Sequence, residues 1–159
     1  MKTIKIAISN ADIFKELAKV TAYAGAKSDS DALAEMVDRV ATVKEDDELL
    51  SRYREMACSG LVDRLKSFVT VADYSGDSLL LQLETSGAYD DSLTPSLRTD
   101  IFSYLVADIA ARWFRITWQE KAESYAGEAS RLLTEAERKL YHRRRPVRRM
   151  HNLESMHNA

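Results

Sequence analysis

The stretch that decides the fold runs from Tyr89 to Pro146 and reads YDDSLTPSLRTDIFSYLVADIAARWFRITWQEKAESYAGEASRLLTEAERKLYHRRRP. It consists of an extended entry, two amphipathic helical patterns and a run of arginines. Proline is favoured at the first helical position, because its missing N–H would have no partner there. Thr94 is therefore the predicted cap of a helix that begins at Pro95, and the upstream chain is expected to pack on this stretch.

The first helical pattern carries an unusually wide apolar face. Phe102, Val106 and Ala110 widen a stripe whose members recur every three or four residues: Leu97, Ile101, Leu105, Ile109, Trp113 and Ile116. A helix of about 20 residues would be about 30 Å long. A face of this width predicts contacts with other elements on two sides of the helix.

The second helical pattern begins without a linker. Thr117 and Glu120 have capping-box spacing, so the chain is predicted to turn and start a new helix at once. Its stripe is rich in small residues: Trp118, Ala122, Tyr125, Ala126, Ala129, Leu132 and Leu133. The two helices are expected to form an antiparallel hairpin. Thr134 and Glu137 repeat the capping spacing and predict a bend or fresh start near Thr134, and the helix should stop by Pro146.

The N-terminal segment begins with alternating apolar residues, which indicate a short strand or an extended arm: Ile4, Ile6 and Ile8. Ser9 or Asn10 can cap a following helix over about residues 11–24. A second, short helix is predicted from the apolar stripe between Leu33 and Val40. A third is predicted to start at the capping box of residues 42–45.

The third helix is expected to run to about Val69. Gly60 lies within it, and the sequence leaves open whether this glycine kinks the helix or admits a neighbouring helix closely. Cys58 is the chain's single cysteine, which excludes an internal disulfide. We interpret it as a small core residue, with a reactive thiol as the alternative.

A β-hairpin is predicted at about residues 70–86, with its turn near Ser75-Gly76-Asp77. Its second strand alternates three leucines with other residues: Leu79, Leu81 and Leu83. An isolated hairpin is marginally stable in water. It must therefore lie on the helices, join the arm of residues 4–8, or pair with another copy of the chain.

These patterns predict a mainly α fold: a helical bundle with a long antiparallel helix hairpin, a small β-hairpin and an extended N-terminal arm. A length of 159 residues suits one domain, here residues 1–142, followed by a basic tail, residues 143–159. The sequence has neither an apolar run of the roughly 18 residues that cross a bilayer nor a signal-peptide pattern. We expect a soluble protein made in the cytoplasm, without membrane contact.

Residue chemistry favours a protein that is not an enzyme and needs no cofactor or metal. The sequence contains neither a glycine-rich phosphate loop nor a nucleophile elbow. A metal site built from His151, His157 and Glu154 would lack a fourth ligand, and a polar tail is the favoured interpretation. Asp90 and Asp91 are interpreted as solvated charges that precede a helix N-terminus.

Charge is distributed unevenly along the chain. Residues 138–159 carry seven basic side chains and one acidic side chain, a net of +6, whereas residues 1–137 carry 16 basic and 24 acidic side chains, a net of −8. An acidic body with a basic end can pair with copies of itself or bring the end to a polyanion. The candidate partner contacts are Arg143, Arg144, Arg145, Arg148 and Arg149. Nucleic-acid phosphates and an acidic protein surface both remain open as the partner.

The order of segments resembles that of small structural proteins encoded among the head and tail genes of tailed phages and prophages. The resemblance covers about residues 69–146: a hairpin, the entry Tyr89–Leu97, a long helix ending in Ala111-Arg112-Trp113-Phe114, an alanine-rich helix, and the segment Lys139–Pro146. The nearest likeness is to the helical head-to-tail connector (adaptor) proteins.

This resemblance implies a non-enzymatic virion component, made in the host cytoplasm, that forms a ring bridging portal and tail around the DNA channel. Its implied partners are itself, the portal and tail proteins, and DNA through non-specific contact as an open option. Six apolar residues are the predicted subunit contacts: Ile4, Ile6, Ile8, Leu79, Leu81 and Leu83. The alternative is a small cytoplasmic nucleic-acid-binding or regulatory protein that acts through its basic tail.

Overall fold

The structure, a computed structural model, describes residues 1–26 and 46–146. Its elements in chain order are β1 (Lys2–Ser9), α1 (Asn10–Ala26), α2 (Asp47–Arg64), β2 (Val69–Asp73), β3 (Ser78–Thr85), a short 3-10 helix (Asp91–Leu93), α3 (Thr94–Thr117) and α4 (Gln119–Tyr141). The predicted fold class is confirmed. The short helix predicted at residues 33–40 and the capping box at residues 42–45 lie outside the described residues.

Helix α3 is the centre of the fold. It contacts α1, α2, α4 and β1, which confirms the predicted packing on more than one side. Its buried side chains are Leu97, Ile101, Tyr104, Leu105, Val106, Ala107, Ile109, Ala110, Ala111, Trp113 and Phe114. The prediction was wrong for Ile116, which is 61% exposed. Ile116 lies in the last turn of α3, where the helix is about to give way to the link with α4.

Helices α3 and α4 form the antiparallel hairpin. Trp118 alone links them, in an extended conformation with φ −156° and ψ 89°. Near the link, the rings of Phe114 and Tyr125 lie 5.1 Å apart. At the far end, Lys139 pairs with Asp100 near the start of α3. The start of each helix therefore lies beside the end of the other.

The capping predictions were wrong in detail. Leu93 occupies the cap position of α3 and Thr94 is already helical, with no side-chain cap on the helix. The hydroxyls of Thr117 and Thr134 each donate to the carbonyl four residues earlier, at 3.1 and 3.0 Å. A threonine inside a helix commonly bonds in this way, so Thr117 ends α3 and α4 continues through Thr134 without a fresh start.

The three strands form one antiparallel sheet in the order β1-β3-β2. The predicted hairpin thus joins the N-terminal strand and lies on the helices. Strands β1 and β3 pair so that their apolar residues stand opposite each other: Ile4 with Leu83, Ile6 with Leu81, and Ile8 with Leu79.

We call these six side chains the inner face of the sheet. Each is at most 6% exposed and belongs to the chain's own core. This corrects the prediction that they contact a neighbouring subunit. The physical reason is that pairing β1 with β3 places both alternating patterns on the same side of the sheet, against the helices.

Helix α2 ends at Arg64, five residues before the predicted end at Val69. The turn that follows is closed by the amides of Phe68 and Val69, which donate to the carbonyl of Leu65. The carbonyl of Phe68 then accepts from the amide of Glu84 at 2.7 Å. The backbone therefore joins the sheet here, although the apolar residues of the sequence continue with helical spacing.

Gly60 lies where helices α2 and α3 approach closely. A Cβ atom at this position would be 3.1 Å from the hydroxyl oxygen of Tyr104. That hydroxyl donates to the carbonyl of Ala57 at 3.2 Å. Of the two open options, the glycine therefore admits a neighbour, and α2 remains continuous from Asp47 to Arg64.

Candidate functional site

The basic segment, which begins at Arg143, follows closely on the end of helix α4. Helix α4 ends at Tyr141, and His142 is extended, with φ −67° and ψ 134°. Arg143 forms an antiparallel bridge with Tyr89. The amide of Arg144 donates to the carbonyl of Ala88 at 2.8 Å. The arginine run therefore begins as an extended segment hydrogen-bonded to the loop before α3.

Charged side chains hold this segment at the end of the body where β1 begins. The Nε atom of Arg144 lies 3.6 Å from Oδ1 of Asp90, and its Nη2 atom lies 3.5 Å from Oδ2 of Asp91. Lys2 Nζ donates to the same Asp91 oxygen at 2.5 Å and to the carbonyl of Tyr89 at 3.0 Å. The N-terminal strand, the loop and the basic segment meet here.

The loop is locally preorganised to carry negative charge. Oδ1 of Asp90 accepts from the amide of Ser92 at 3.1 Å and from its hydroxyl at 2.8 Å. These two hydrogen bonds, with a smaller contribution from Arg144, lower the pKa of Asp90. Asp90 therefore presents a carboxylate to Arg144 well below neutral pH.

The predicted contact residues do not share one environment. Arg143, Arg144 and Arg145 are all exposed, and the side chain of Arg144 is 60% exposed, so they differ in their ion pairs and not in their burial. Within residues 1–26 and 46–146, neither Arg143 nor Arg145 has a carboxylate in ion-pair range, whereas Arg144 has two. Arg148 and Arg149 lie outside the described residues. The structure thus separates three arginines that are equivalent in the sequence.

Cys58 is fully buried, and burial raises the pKa of its thiol to about 11, against the smaller opposing effect of Arg54. A neutral thiol inside the core fits the predicted structural role.

Arg54 itself is only 5% exposed. Its Nη2 atom donates to the carbonyl of Tyr74 at 2.6 Å, while its Nη1 atom has no hydrogen-bond partner among the described residues. The burial of Arg54 was not predicted from the sequence, because an arginine beside a helical stripe is usually solvated.

The described part of the chain contains no group of three or more His, Cys, Asp or Glu side chains placed to hold a metal ion. None of its helices is both long and apolar enough to cross a membrane. His142 lies on the extended segment, and the pair His151 and His157 lies outside the described residues.

The outer face of the sheet carries a shallow depression of about 410 Å³. Its lining includes Lys5, Ala7, Val71, Leu80 and Gln82. Val71 and Leu80 are 52% and 49% exposed. The lining contains one ionisable group and no nucleophile, so the depression offers an apolar contact surface without an acid–base pair.

Two parts of the basic end were not predicted from the sequence. The sequence indicates only solvated charges ahead of a helix for Asp90 and Asp91, and no role for Lys2. The available signal was charge complementarity between an acidic pair and the arginine run. Sequence separation hid it, since Lys2 and Asp91 are 89 residues apart.

A comparison of the chain with protein-family models, curated proteins and solved structures found no match.

Proposed function

We propose that this chain is a non-enzymatic structural protein of a tailed-phage or prophage particle, a head-to-tail connector subunit. In this proposal, copies form a ring that bridges the portal and the tail around the DNA channel. The observation that carries the proposal is the separation of charge on a rigid body. An exposed basic segment leaves one end of a helical domain whose chain, up to residue 137, has a net charge of −8.

A ring subunit requires a shape that survives assembly and surfaces that attract their neighbours. The hairpin of α3 and α4 supplies the rigid body, because α3 is covered by three other helices and a strand. The charge asymmetry supplies attraction between the acidic body of one copy and the basic end of another, or between that end and the portal.

The burial of the inner face of the sheet changes what the proposal can use for ring contacts. Side chains that complete the chain's own core cannot also fill a neighbour's surface. The contacts must come from exposed groups, and the exposed arginines at positions 143–145 are candidates for them. The order of segments that resembles connector proteins supports the proposal as well.

The proposal is tested by imaging particles from the host that encodes this chain. Electron cryomicroscopy should show the chain as a closed ring between portal and tail, and mass spectrometry should detect it in purified particles. Particles made without it should lose that ring and fail to join heads to tails. A particle from which the chain is absent, or in which it does not form a ring, would refute the proposal. A monomer in dilute solution would not, because assembly can require the portal as a platform.

The exposure of Arg143 and Arg145 favours one alternative, a small nucleic-acid-binding or regulatory protein that acts through its tail. Removing residues 143–159 distinguishes the two functions. A connector without these residues keeps the contacts that its body makes in the particle and loses only the contacts that the basic end supplies. A regulator without them loses all affinity for nucleic acid.

A further inference from the structure

The three consecutive arginines after α4 face different surroundings, although they are identical in the sequence. The backbone is extended at His142 and forms an antiparallel bridge at Arg143, and successive side chains of an extended segment point to opposite sides. Arg144 points towards Asp90 and Asp91. All three arginines are exposed, but Arg143 and Arg145, on either side of Arg144, have no carboxylate in ion-pair range within the described residues.

The backbone contacts keep this alternation in place. The bridge between Arg143 and Tyr89 and the hydrogen bond from the Arg144 amide to Ala88 tie the segment to the loop. The ion pairs between the Arg144 side chain and the carboxylates of Asp90 and Asp91 connect the segment to the same loop. Each exposed pair alone is worth about 0–1 kcal/mol, but together with the backbone bonds they favour one orientation.

We infer that Arg143 and Arg145 form a phosphate-contacting pair for nucleic acid, and that Arg144 anchors the pair to the body instead of contacting the phosphates. The Cα atoms of residues two apart in an extended segment are separated by about 7 Å. This separation is comparable to that of successive phosphates along one nucleic-acid strand. Each guanidinium offers planar donors that match phosphate oxygens.

A nucleic acid suits this surface better than an acidic protein does. The separation of Arg143 and Arg145 is comparable to the regular separation of phosphates along a strand. The neutralisation of each phosphate also releases condensed counterions. Base reading is not involved, so the contact is independent of sequence. The inference deepens the proposed function and rests on it only for which nucleic acid is met, the DNA in the channel.

The test measures binding of the full chain to a fluorescent 20-base-pair duplex of random sequence by anisotropy, at several salt concentrations. The slope of log affinity against log salt should decrease by about 2 in Arg143→Ala/Arg145→Ala, and affinity at 0.1 M salt should fall on the order of tenfold or more. Arg144→Ala should change the slope by less than about 0.5, because its charge faces the loop.

Two further variants sharpen the result. Asp90→Asn/Asp91→Asn removes the carboxylates that hold Arg144, so it should strengthen binding and increase the slope by up to about 1. Arg131→Ala/Arg138→Ala is the matched control. It also removes two positive charges, but these arginines are paired with glutamates three residues earlier on α4. The control should leave the slope unchanged.

The inference is overturned if the Arg143/Arg145 variant keeps the wild-type slope, or if Arg143→Ala and Arg144→Ala reduce it equally. Binding to polyglutamate without binding to the duplex would also overturn it, in favour of an acidic protein partner. Thermal unfolding of each arginine variant should match that of the wild type, since the mutated arginine side chains are exposed. If the duplex-binding test fails but the particle contains a ring of this chain, the proposed function stands. If the duplex-binding test succeeds but the particle contains no such ring, the phosphate-contacting pair stands.

Discussion

The inner face of the sheet and the basic end were both predicted to meet partners, and the structure treats them in opposite ways. The six apolar side chains of the inner face are sealed in the chain's own core. Arg143 and Arg145 of the basic end remain open to solvent. Burying one large apolar side chain is worth about 1.5–3 kcal/mol, whereas an exposed ion pair is worth about 0–1 kcal/mol.

The difference shows what each kind of pattern can indicate. Alternating apolar residues predict burial but do not say whether the covering surface belongs to the same chain. Surface charges contribute little to folding, so they can remain available to a partner. The inner face accordingly stabilises the domain, and the basic end is the better candidate for function.

The largest effect on stability is expected from shortening one buried side chain of the inner face. Leu83→Ala should lower the free energy of unfolding by about 2–5 kcal/mol, because Leu83 is fully buried and its removal leaves a cavity. Leu80→Ala, on the opposite face of the same strand, should cost less than about 0.5 kcal/mol. Urea unfolding of both variants measures the difference. Equal stability of Leu83→Ala and the wild type would return the inner face to the role of a subunit contact.

A second prediction concerns an ion pair near the basic end that is shielded from solvent. The side chains of Lys139 and Asp100 are only 18% and 15% exposed. Lys139→Met should destabilise the protein by about 1–3 kcal/mol, because it leaves a poorly solvated carboxylate without its cation. The double variant Lys139→Met/Asp100→Asn should recover part of this loss.

The matched control for that pair is Arg131→Met, since the side chain of Arg131 is 59% exposed. It should change stability by less than about 0.5 kcal/mol. If chemical denaturation gave the same loss for Arg131→Met as for Lys139→Met, burial would not be what distinguishes the two pairs.

A smaller effect is expected from two helical glycines. Gly127→Ala should stabilise the protein by about 0.5–1 kcal/mol, because a Cβ atom there meets nothing within 4 Å. Gly60→Ala should gain less, since its Cβ atom would press on the Tyr104 hydroxyl at 3.1 Å. Adding Tyr104→Phe should bring the gain at Gly60 towards that at Gly127. Thermal unfolding tests this, and an identical gain at both glycines without Tyr104→Phe would contradict the close approach of α2 and α3.

The smallest effect concerns the loop that holds Arg144. The pKa of Asp90 in the folded protein lies below its ordinary value of 3.8, first because of the Ser92 hydroxyl. A lowered pKa in the folded state contributes stability that is present above the unfolded-state pKa and is lost as pH falls through the folded-state pKa. Ser92→Ala should raise the Asp90 pKa more than Arg144→Ala does. An NMR titration of the carboxyl carbon measures both, and the opposite order would make Arg144 the main determinant.

Local patterns predicted most of the elements of the fold. The 3.6-residue period identified α3 and α4, and the two-residue period around Ser75-Gly76-Asp77 identified the hairpin. These predictions succeeded because they depend on residues that are close in the chain. The exact helix ends were less accurate, since Thr117 and Thr134 can bond either as caps or to their own helix.

The candidate site was only partly predictable for the same reason. Composition located the arginines at the C-terminal end of the chain, but which of them is paired with a carboxylate depends on Asp90 and Asp91. Those carboxylates reach Arg144 only after the helix hairpin brings the end of α4 back beside the start of α3. The buried Arg54 likewise depends on the position of the β2–β3 turn.

The amino-acid sequence by itself determined the mainly α class, the helix hairpin, the β-hairpin and the uneven distribution of charge. Each of these follows from spacing or composition within a local segment. Only the tertiary structure decided that the β1 and β3 side chains complete the chain's own core and that Arg144 is held by the loop. Both outcomes depend on contacts between residues more than 50 positions apart, which a local pattern permits but cannot select.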